Sequence, residues 1–433
     1  MTAETSGRAL RPVLVTSSLT AGGSAKAALR LLRGLRKIGV EAQLLGPQRS
    51  TGEEGVVGLF SARERCLHTL VKGSEIALRA FYRSKKDVPF TSAWLGVRIH
   101  RKLRELKADS IHLNQCHNGF LGLETPGRWS LPAVWTVHDW WPITGGCHFP
   151  GHCGRHATGC GACPVLGSGR NWDLSRLNYR VKARAWSKTD ASLVAVSRSI
   201  RTSLQSSPLF VGREVEVVPN GLDLETFRPI PREVARSVLG LPADATILLF
   251  GARRSDVNKG FGAVEELARE LGCGGDAARY LVVTFGDNRP LKSDALEVAA
   301  RSFGLVDDDL KLALLYSAAN FTLVPSRQES FGLVAAESMA CGTPVLAYRT
   351  TGLVDIVDHR ENGFLAEPDS ITDYIAGARW LLQAQDEETR RAAISAHARS
   401  KVRDQFDILQ VARRYAHLYS LAVQRRRMAA GVT

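Results

Sequence analysis

The sequence predicts an α/β protein built as two Rossmann-like domains, with two parallel sheets facing a central cleft. Three observations predict it. Short apolar strands alternate with stretches whose apolar residues recur three and four apart, the helical period. Glycines sit where strands pass into helices, as in "TAGGSAKAA" and "TILLFGA". The whole alternation runs twice, on either side of the Pro/Gly-rich "EVEVVPNGLDLETFRPIP" at residues 214–231.

In order, "PVLVTSSL" (12–19) reads as the first strand and "AKAALRLLRGLRKIG" as the helix after it, with Ala28, Leu31, Leu32 and Leu35 on one face. "EAQLLG" (41–46) closes a βαβ unit, which calls for a parallel sheet and a right-handed crossover. "SIHLNQ" (110–115), "AVWTVHD" (133–139) and "ASLVAVS" (191–197) add strands. The second series has strands at 246–252, 280–286, 320–326 and 343–348, and helices at 261–272 and 332–342. The expected domains are residues 1–205, residues 206–400, and a C-terminal helix at 401–433 that crosses back to the first domain. Ligands of such folds bind beyond the C-terminal ends of the strands, so motifs at those ends are the candidates.

Hydrophobic content of 44% and charged content of 23% suit a globular chain. The N-terminal "MTAETSGRALRP" has no apolar core, and no run of eighteen apolar residues occurs, so neither a signal peptide nor a spanning helix is expected. The expected location is cytoplasmic, at the inner face of the membrane. The net charge of +14 favours anionic partners: nucleic acid, an anionic lipid surface or phosphorylated small molecules. The basic residues gather at 75–87, 98–107, 176–188 and 425–427, either as solvated faces or as a basic face of one domain.

Gly22 and Gly23 lie between a strand and a helix start, where backbone N–H groups can meet an anion; a plain tight turn uses the same residues. "FGARRSDVNKGF" (250–261) carries Arg253, Arg254 and Lys259 at a strand end, cations able to neutralise a diphosphate or simply to be solvated. "PSRQESFGLVAAESMACGTPV" (325–345) puts Glu329 in a loop and Glu337 on a helix that Ser330, Phe331 and Gly332 open and Gly342 caps. Two carboxylates so spaced can grip two hydroxyl-bearing parts of one ligand. "VDDDL" (306–310) reads as a turn and helix start, not as a metal site.

The stretch from Pro325 to Pro368 resembles the E-x7-E signature of the family 4 retaining glycosyltransferases, which have the GT-B fold. "VVPNGLDLETFRP" and "YSAANFTLVPS" resemble two further segments of that family. "VWTVHDWWPITGGCHF" with its cysteines resembles the exopolysaccharide, colanic-acid-type branch. The resemblance implies a nucleotide-sugar donor and a saccharide acceptor linked to polyprenyl diphosphate. Glu337 would hold the ribose, and Glu329 with the N–H groups of Phe331, Gly332 and Leu333 the transferred sugar. Arg253 and Lys259 would hold the diphosphate, Gly22 and Gly23 would close over it, and His138 would contact the donor sugar. No catalytic metal is implied. Asn114 stands where the family has a histidine, and Asn320 where it has an aspartate.

Cys147, Cys153, Cys160 and Cys163 cluster with spacing C-x5-C-x6-C-x2-C. A structural zinc, an iron–sulfur cluster, or plain thiols and disulfides all remain open at this point, with His148, His152 and His156 as alternative ligands. A zinc-containing nucleic-acid binder is a rival class. Arg155 is the only Lys or Arg between Cys147 and Cys163, which counts against it, and nucleic acid is not an expected partner. An isomerase or hydrolase of nucleotide sugars on the same fold is the second rival.

Overall fold

A computed structural model describes residues 10–19, 22–47, 52–58, 62–83, 88–117, 119–125, 131–187, 189–273, 275–289, 296–429 and 431. The chain divides into two compact units, residues 1–221 with 408–433, and residues 222–407.

The first unit holds a seven-stranded sheet: β1 (Pro12–Val15), β2 (Gln43–Gly46), β3 (Val56–Gly58), β4 (Ser110–Leu113), β5 (Ala133–Val137), β6 (Ala191–Ala195) and β7 (Val215–Val217). Their order is β3-β2-β1-β4-β5-β6-β7, with every neighbour parallel. The second unit holds β8 (Thr246–Gly251), β9 (Tyr280–Phe285), β10 (Ala299–Ser302), β11 (Phe321–Val324), β12 (Val345–Tyr348) and β13 (Gly363–Ala366), ordered β10-β9-β8-β11-β12-β13 and again all parallel. In both sheets the order reverses once, between β1 and β4 and between β8 and β11. Such a switch point leaves a crevice at the strand C-termini, because the connections on its two sides leave in opposite directions.

The domain limits differ from those expected. The first limit moves from 205 to 221, because β7 pairs with β6 and so completes the first sheet. The second moves from 400 to 407, because the helix Glu388–Phe406 buries Ile394, Ala398, Val402 and Phe406 as part of the second unit. The last helix, Ile408–Ala429, buries Val411, Tyr415, Leu418 and Tyr419 in the core of the first unit, against Leu31, Leu32 and Leu35 of the helix Gly23–Lys37. Burying a leucine side chain is worth about 2 kcal/mol, so this face fixes where the last helix belongs.

A buried polar network fastens that helix. His112 at β4 bonds Tyr419 Oη through Nδ1 (2.6 Å) and Thr136 Oγ1 through Nε2 (2.7 Å). Tyr415 Oη meets the same threonine at 2.8 Å. No helix among the described residues is long and apolar enough to cross a membrane.

Candidate functional site

In the second unit the polar groups gather at the switch point. After β8 the chain turns at Asp256, whose carboxylate accepts from Asn258 N–H, and the helix Phe261–Gly272 follows. Gly260 adopts φ 69°, and a Cβ there would lie 2.0 Å from Pro325 O, so only glycine lets this loop lie against the end of β11. Asn258 ties the two loops together: its carbonyl accepts from Arg327 N–H (2.8 Å), and its Nδ2 donates to Gln328 O (2.7 Å).

This close approach brings Lys259 to Glu329, with Nζ donating to Oε1 at 2.5 Å. Ser326 Oγ donates to the same oxygen (3.0 Å), and the Glu329 N–H donates to Thr351 Oγ1 (2.8 Å). Burial works against the Lys259 ammonium, but the Glu329 charge and hydrogen bond raise its pKa overall. Lys259 therefore stays cationic. An ammonium has three donors, so its bond to Glu329 leaves capacity for a ligand.

The two neighbouring arginines differ. Arg254 is anchored, its N–H donating to Asp287 Oδ2 (3.0 Å) and its guanidinium 3.8 Å from that carboxylate. Arg253 is exposed, with no ion-pair partner among the described residues. A depression of about 390 Å³ flanks this loop, lined by Arg254, Asp256, Gly260, Arg327 and Tyr348 among others, but not by Glu329 or Glu337.

The helix after Glu329 begins later than the sequence suggested. It spans Leu333–Ala340, with Gly332 as its N-cap at φ 111°. Residues 330–332 form the turn before it, because a left-handed Gly332 cannot continue a right-handed helix. A Cβ on Gly332 would lie 2.8 Å from Leu353 Cδ2. The far end is capped through Gly342 (φ 77°): its N–H donates to Met339 O and that of Thr343 to Ser338 O, both at 3.0 Å. Phe331 is buried against Phe406. Glu337 is also buried, and its Oε2 accepts from Tyr316 Oη at 2.7 Å. It is a held carboxylate, not a loose surface one. Asp308 caps the helix Asp309–Ala318 through Leu310 N–H (2.7 Å) and Lys311 N–H (3.1 Å), so "VDDDL" is a helix start. Asn320 Oδ1 accepts from Ile247 N–H and Arg236, a structural use of the swapped residue.

In the first unit, Gly22 (φ 92°) is the N-cap of the helix Gly23–Lys37, and Ser24 Oγ meets Gln115 Oε1 at 2.5 Å across the β1/β4 switch point. His138 follows β5, half-buried, with Nε2 3.2 Å from Asn114 Oδ1. Burial pulls its pKa down to about 4, partly offset by Asp139, so the ring is neutral at pH 7. Below it, Asp139 accepts from Trp141 N–H (2.9 Å) and Gln115 Nε2 (3.1 Å) and meets His148 Nδ1 at 2.8 Å. His148 Nε2 meets Thr91 Oγ1 at 2.9 Å. Burial opposes the Asp139 charge, but the two histidines and the Trp141 N–H hold its pKa below the usual carboxylate range. His117, His148 and Asp139 bring their ligand atoms within 4.8 Å of one another, a buried trio that sequence reasoning missed.

The four clustered cysteines line one small opening of about 20 Å³, beside Phe90, Thr144, Gly145 and Ser175. All are free thiols, and no three of the sulfurs lie within 4.8 Å of one another. Burial pushes Cys147 up to about 12 and Cys160 up to about 11, which makes them poor nucleophiles. Of the alternative ligands, His148 is engaged by Asp139, His152 is exposed, and His156 lines the opening.

The structure thus joins Lys259 to Glu329 and sets Arg253 and Glu337 in the same unit. His138, Gly22, Gly23 and the cysteines belong to the other. Asn258, Ser326, Thr351 and Tyr316 escaped sequence reasoning; only the position of Asn258 beside Lys259 hinted at a role.

The family Glycosyltransferase Family 4 matches residues 21–226, and Glycosyl transferases group 1 matches residues 236–400. The chain is 30% identical over 432 residues to the D-inositol 3-phosphate glycosyltransferase of Xylanimonas cellulosilytica, covering 94% of this chain and 93% of that protein. It is 37% identical over 326 residues to D-inositol 3-phosphate glycosyltransferase 2 of Catenulispora acidiphila, covering 70% and 69%. These two relatives are named for inositol 3-phosphate, not for polysaccharide assembly. Among solved structures, sucrose-phosphate synthase from Thermosynechococcus elongatus superposes with a TM-score of 0.68 at 20% identity, covering 97% of this chain and 100% of that one. Anabaena HepE, in complex with UDP and glucose, gives 0.63 at 18% identity, covering 95% and 99%. At such identities the likeness speaks to the fold, two Rossmann-like domains of GT-B type.

Proposed function

The chain belongs to the group 1 glycosyl transferases, and on that premise we propose that it is a retaining enzyme that transfers a sugar to a saccharide linked to polyprenyl diphosphate. It is a glycosyltransferase acting on nucleotide-sugar donors. The observation that carries the donor assignment is the Lys259–Glu329 pair at the ends of β8 and β11, with Glu337 on the helix that follows.

The chemistry asks for those groups. As the bond between the anomeric carbon and the β-phosphate oxygen breaks, negative charge grows on the leaving diphosphate. Lys259 and Arg253 neutralise it, and Lys259, already held by Glu329, needs no reorganisation to do so. Glu329 accepts from hydroxyls of the transferred sugar while it orients Lys259. Glu337, held by Tyr316, takes the ribose. The neutral His138 ring offers the sugar a hydrogen bond, not an ion pair. The acceptor hydroxyl attacks from the face the diphosphate leaves, and its proton passes to a diphosphate oxygen. No protein nucleophile and no catalytic metal enter this scheme.

A lipid-linked acceptor is supported by the helix Ala62–Ala80 and the turn after it. Leu70, Ile76 and Phe81 are 65%, 73% and 87% exposed, with Lys72 and Arg83 also exposed. Large bare apolar side chains beside cations suit an anionic membrane surface. Residues 84–87 of the same basic stretch lie outside the described residues.

The test is a binding screen of nucleotide sugars followed by product analysis with polyprenyl-diphosphate saccharides and, in parallel, inositol phosphate. Transfer to inositol phosphate alone would overturn the acceptor assignment. Conversion of the donor without any acceptor would favour the hydrolase or isomerase reading.

A further inference from the structure

We propose that Cys147, Cys153, Cys160 and Cys163 bind a structural zinc ion, and that the buried Lys182 is the counter-charge of the tetrathiolate so formed. Four observations carry this. First, the four thiols line one opening, and none is in a disulfide.

Second, a backbone donor reaches one of the sulfurs. Gly145 N–H donates to Cys160 Sγ at 3.1 Å. A donor of this kind favours thiolate over thiol. Third, residues 160–162 run through three positive φ values in succession, 60°, 99° and 43°, two of them at non-glycine residues. That backbone costs on the order of 1 kcal/mol at each non-glycine position, and it folds the C-x2-C pair back on itself.

Fourth, Lys182 is fully buried with no carboxylate in ion-pair range among the described residues. Its Nζ donates to Trp141 O (2.5 Å) and Thr144 O (2.9 Å) and lies 3.5 Å from the Trp141 ring centre. Thr144, which accepts from it, lies three residues before Cys147 and next to Gly145, whose N–H donates to Cys160 Sγ. A buried cation is expensive without an anion nearby. Zinc displaces the four thiol protons to solvent and leaves a net dianion, which supplies that anion.

No three of the sulfurs lie within 4.8 Å of one another. Zinc at about 2.3 Å from each requires them to close inward, and residues 149–159, mostly exposed and carrying Cys153, are the part able to move. The buried His117–Asp139–His148 trio is the weaker metal candidate, since His148 and Asp139 already satisfy one another at 2.8 Å.

The experiment is metal analysis of the full chain, purified without a metal-affinity tag and with reductant present. About one zinc per chain is expected for a four-sulfur site, released by a thiol-specific mercurial. Cobalt in its place should give the intense visible bands and sulfur-to-metal charge transfer of a tetrahedral thiolate site. Four free thiols without metal, two disulfides, or iron with acid-labile sulfide would each overturn the zinc. Lys182→Met should weaken zinc binding by about 10–100-fold, the usual effect of removing an outer-shell partner. Leu174→Ala trims the same apolar cluster without touching charge and should leave affinity within about threefold, well short of that outer-shell loss. Equal effects of the two variants would overturn the counter-charge role. If Lys182→Met does not fold, Cys153→Ser on the exposed rim decides the site, since it should abolish the cobalt charge-transfer band while the tryptophan spectrum stays native.

Discussion

At the ends of β8 and β11 the second unit carries formal charges near solvent: Lys259 against Glu329, and Arg253 exposed. At the ends of β4 and β5 the first unit carries imidazoles in its interior, with His112 and His117 buried and His138 half-buried. The strand order around the two switch points is the same, so the contrast comes from the residues that follow the strands. One unit keeps its charges near solvent. The other offers neutral hydrogen-bonding rings at its strand ends, where the buried Asp139 and Lys182 are hydrogen-bonded in place. On the proposed mechanism charge stabilisation falls to the second unit, and mutations should divide accordingly.

The largest expected effect tests the charged half. Lys259→Ala should lower turnover about 30-fold or more, the loss of about 2 kcal/mol in a charge-assisted contact. The effect should fall on kcat more than on donor affinity, because leaving-group charge develops only in the transition state. Turnover within about threefold of wild type would remove Lys259 from the diphosphate. Arg253→Ala should follow the same pattern, whereas Arg254→Ala, which removes a guanidinium 3.8 Å from an Asp287 still held by Arg289 and by the backbone N–H of residue 254, should show itself only as a small drop in melting temperature.

Next comes Glu337→Ala. Calorimetric titration should show donor binding weakened about tenfold, with a stability loss of about 1–3 kcal/mol, because the buried Tyr316 hydroxyl loses its acceptor. A stability loss with unchanged affinity would make Glu337 a structural residue alone.

The neutral half can be tested by acid. Burial pulls His112 from 6.5 down to about 3, and His138 to about 4. The unfolded chain therefore binds more protons than the native one below pH 6.5, and stability must fall as pH falls from there. Between pH 7.5 and 5.5 each such histidine contributes a loss of about 1.4 kcal/mol. Tryptophan fluorescence isolates this unit, since seven of the eight tryptophans lie before residue 222. His112→Gln should start from lower stability but lose about 1.4 kcal/mol less on acidification. An unchanged acid slope would mean His112 is not buried neutral.

The smallest effect concerns the helix Ala62–Ala80, which Glu75 ties to the unit through the N–H groups of Ser92 and Ala93 while its outer side stays bare. The protein should float with anionic vesicles at low salt and release as salt rises, each Lys or Arg contributing about 1 kcal/mol. Phe81→Ser should weaken this binding without altering transfer to a soluble acceptor analogue. Absence of flotation at low salt would sink the membrane contact.

Much of this was legible in advance. Strand positions and their C-terminal ends follow from short apolar runs, so the loops bearing Lys259, Glu329 and His138 were found at once. Ser330, Phe331 and Gly332 were read as opening the helix that starts at Leu333, since a pattern of residue types does not show that Gly332 takes φ 111°. Lys182 was counted within a basic helix face at 176–188, yet it is fully buried under Trp141. Its burial depends on the fold of residues 141–147, which local periodicity cannot see. His112 read only as part of the strand "SIHLNQ", and its partner Tyr419 lies 307 positions along the chain. Contacts of that range leave no mark on any window of sequence.

The membership of the helix Ile408–Ala429 in the first unit has a consequence for biosynthesis. Residues 222–407 are inserted between two parts of one core, so the unit begun first on the ribosome is the one completed last. Until residues 408–429 emerge, Leu31, Leu32 and Leu35 lack the apolar face that covers them, and His112 lacks the Tyr419 hydroxyl. The second unit has all its strands by residue 366 and its last helix by residue 406, and can close while its predecessor waits. A chain ending after residue 407 should therefore display a folded second unit behind an open first unit, a state in which chaperones would find their substrate.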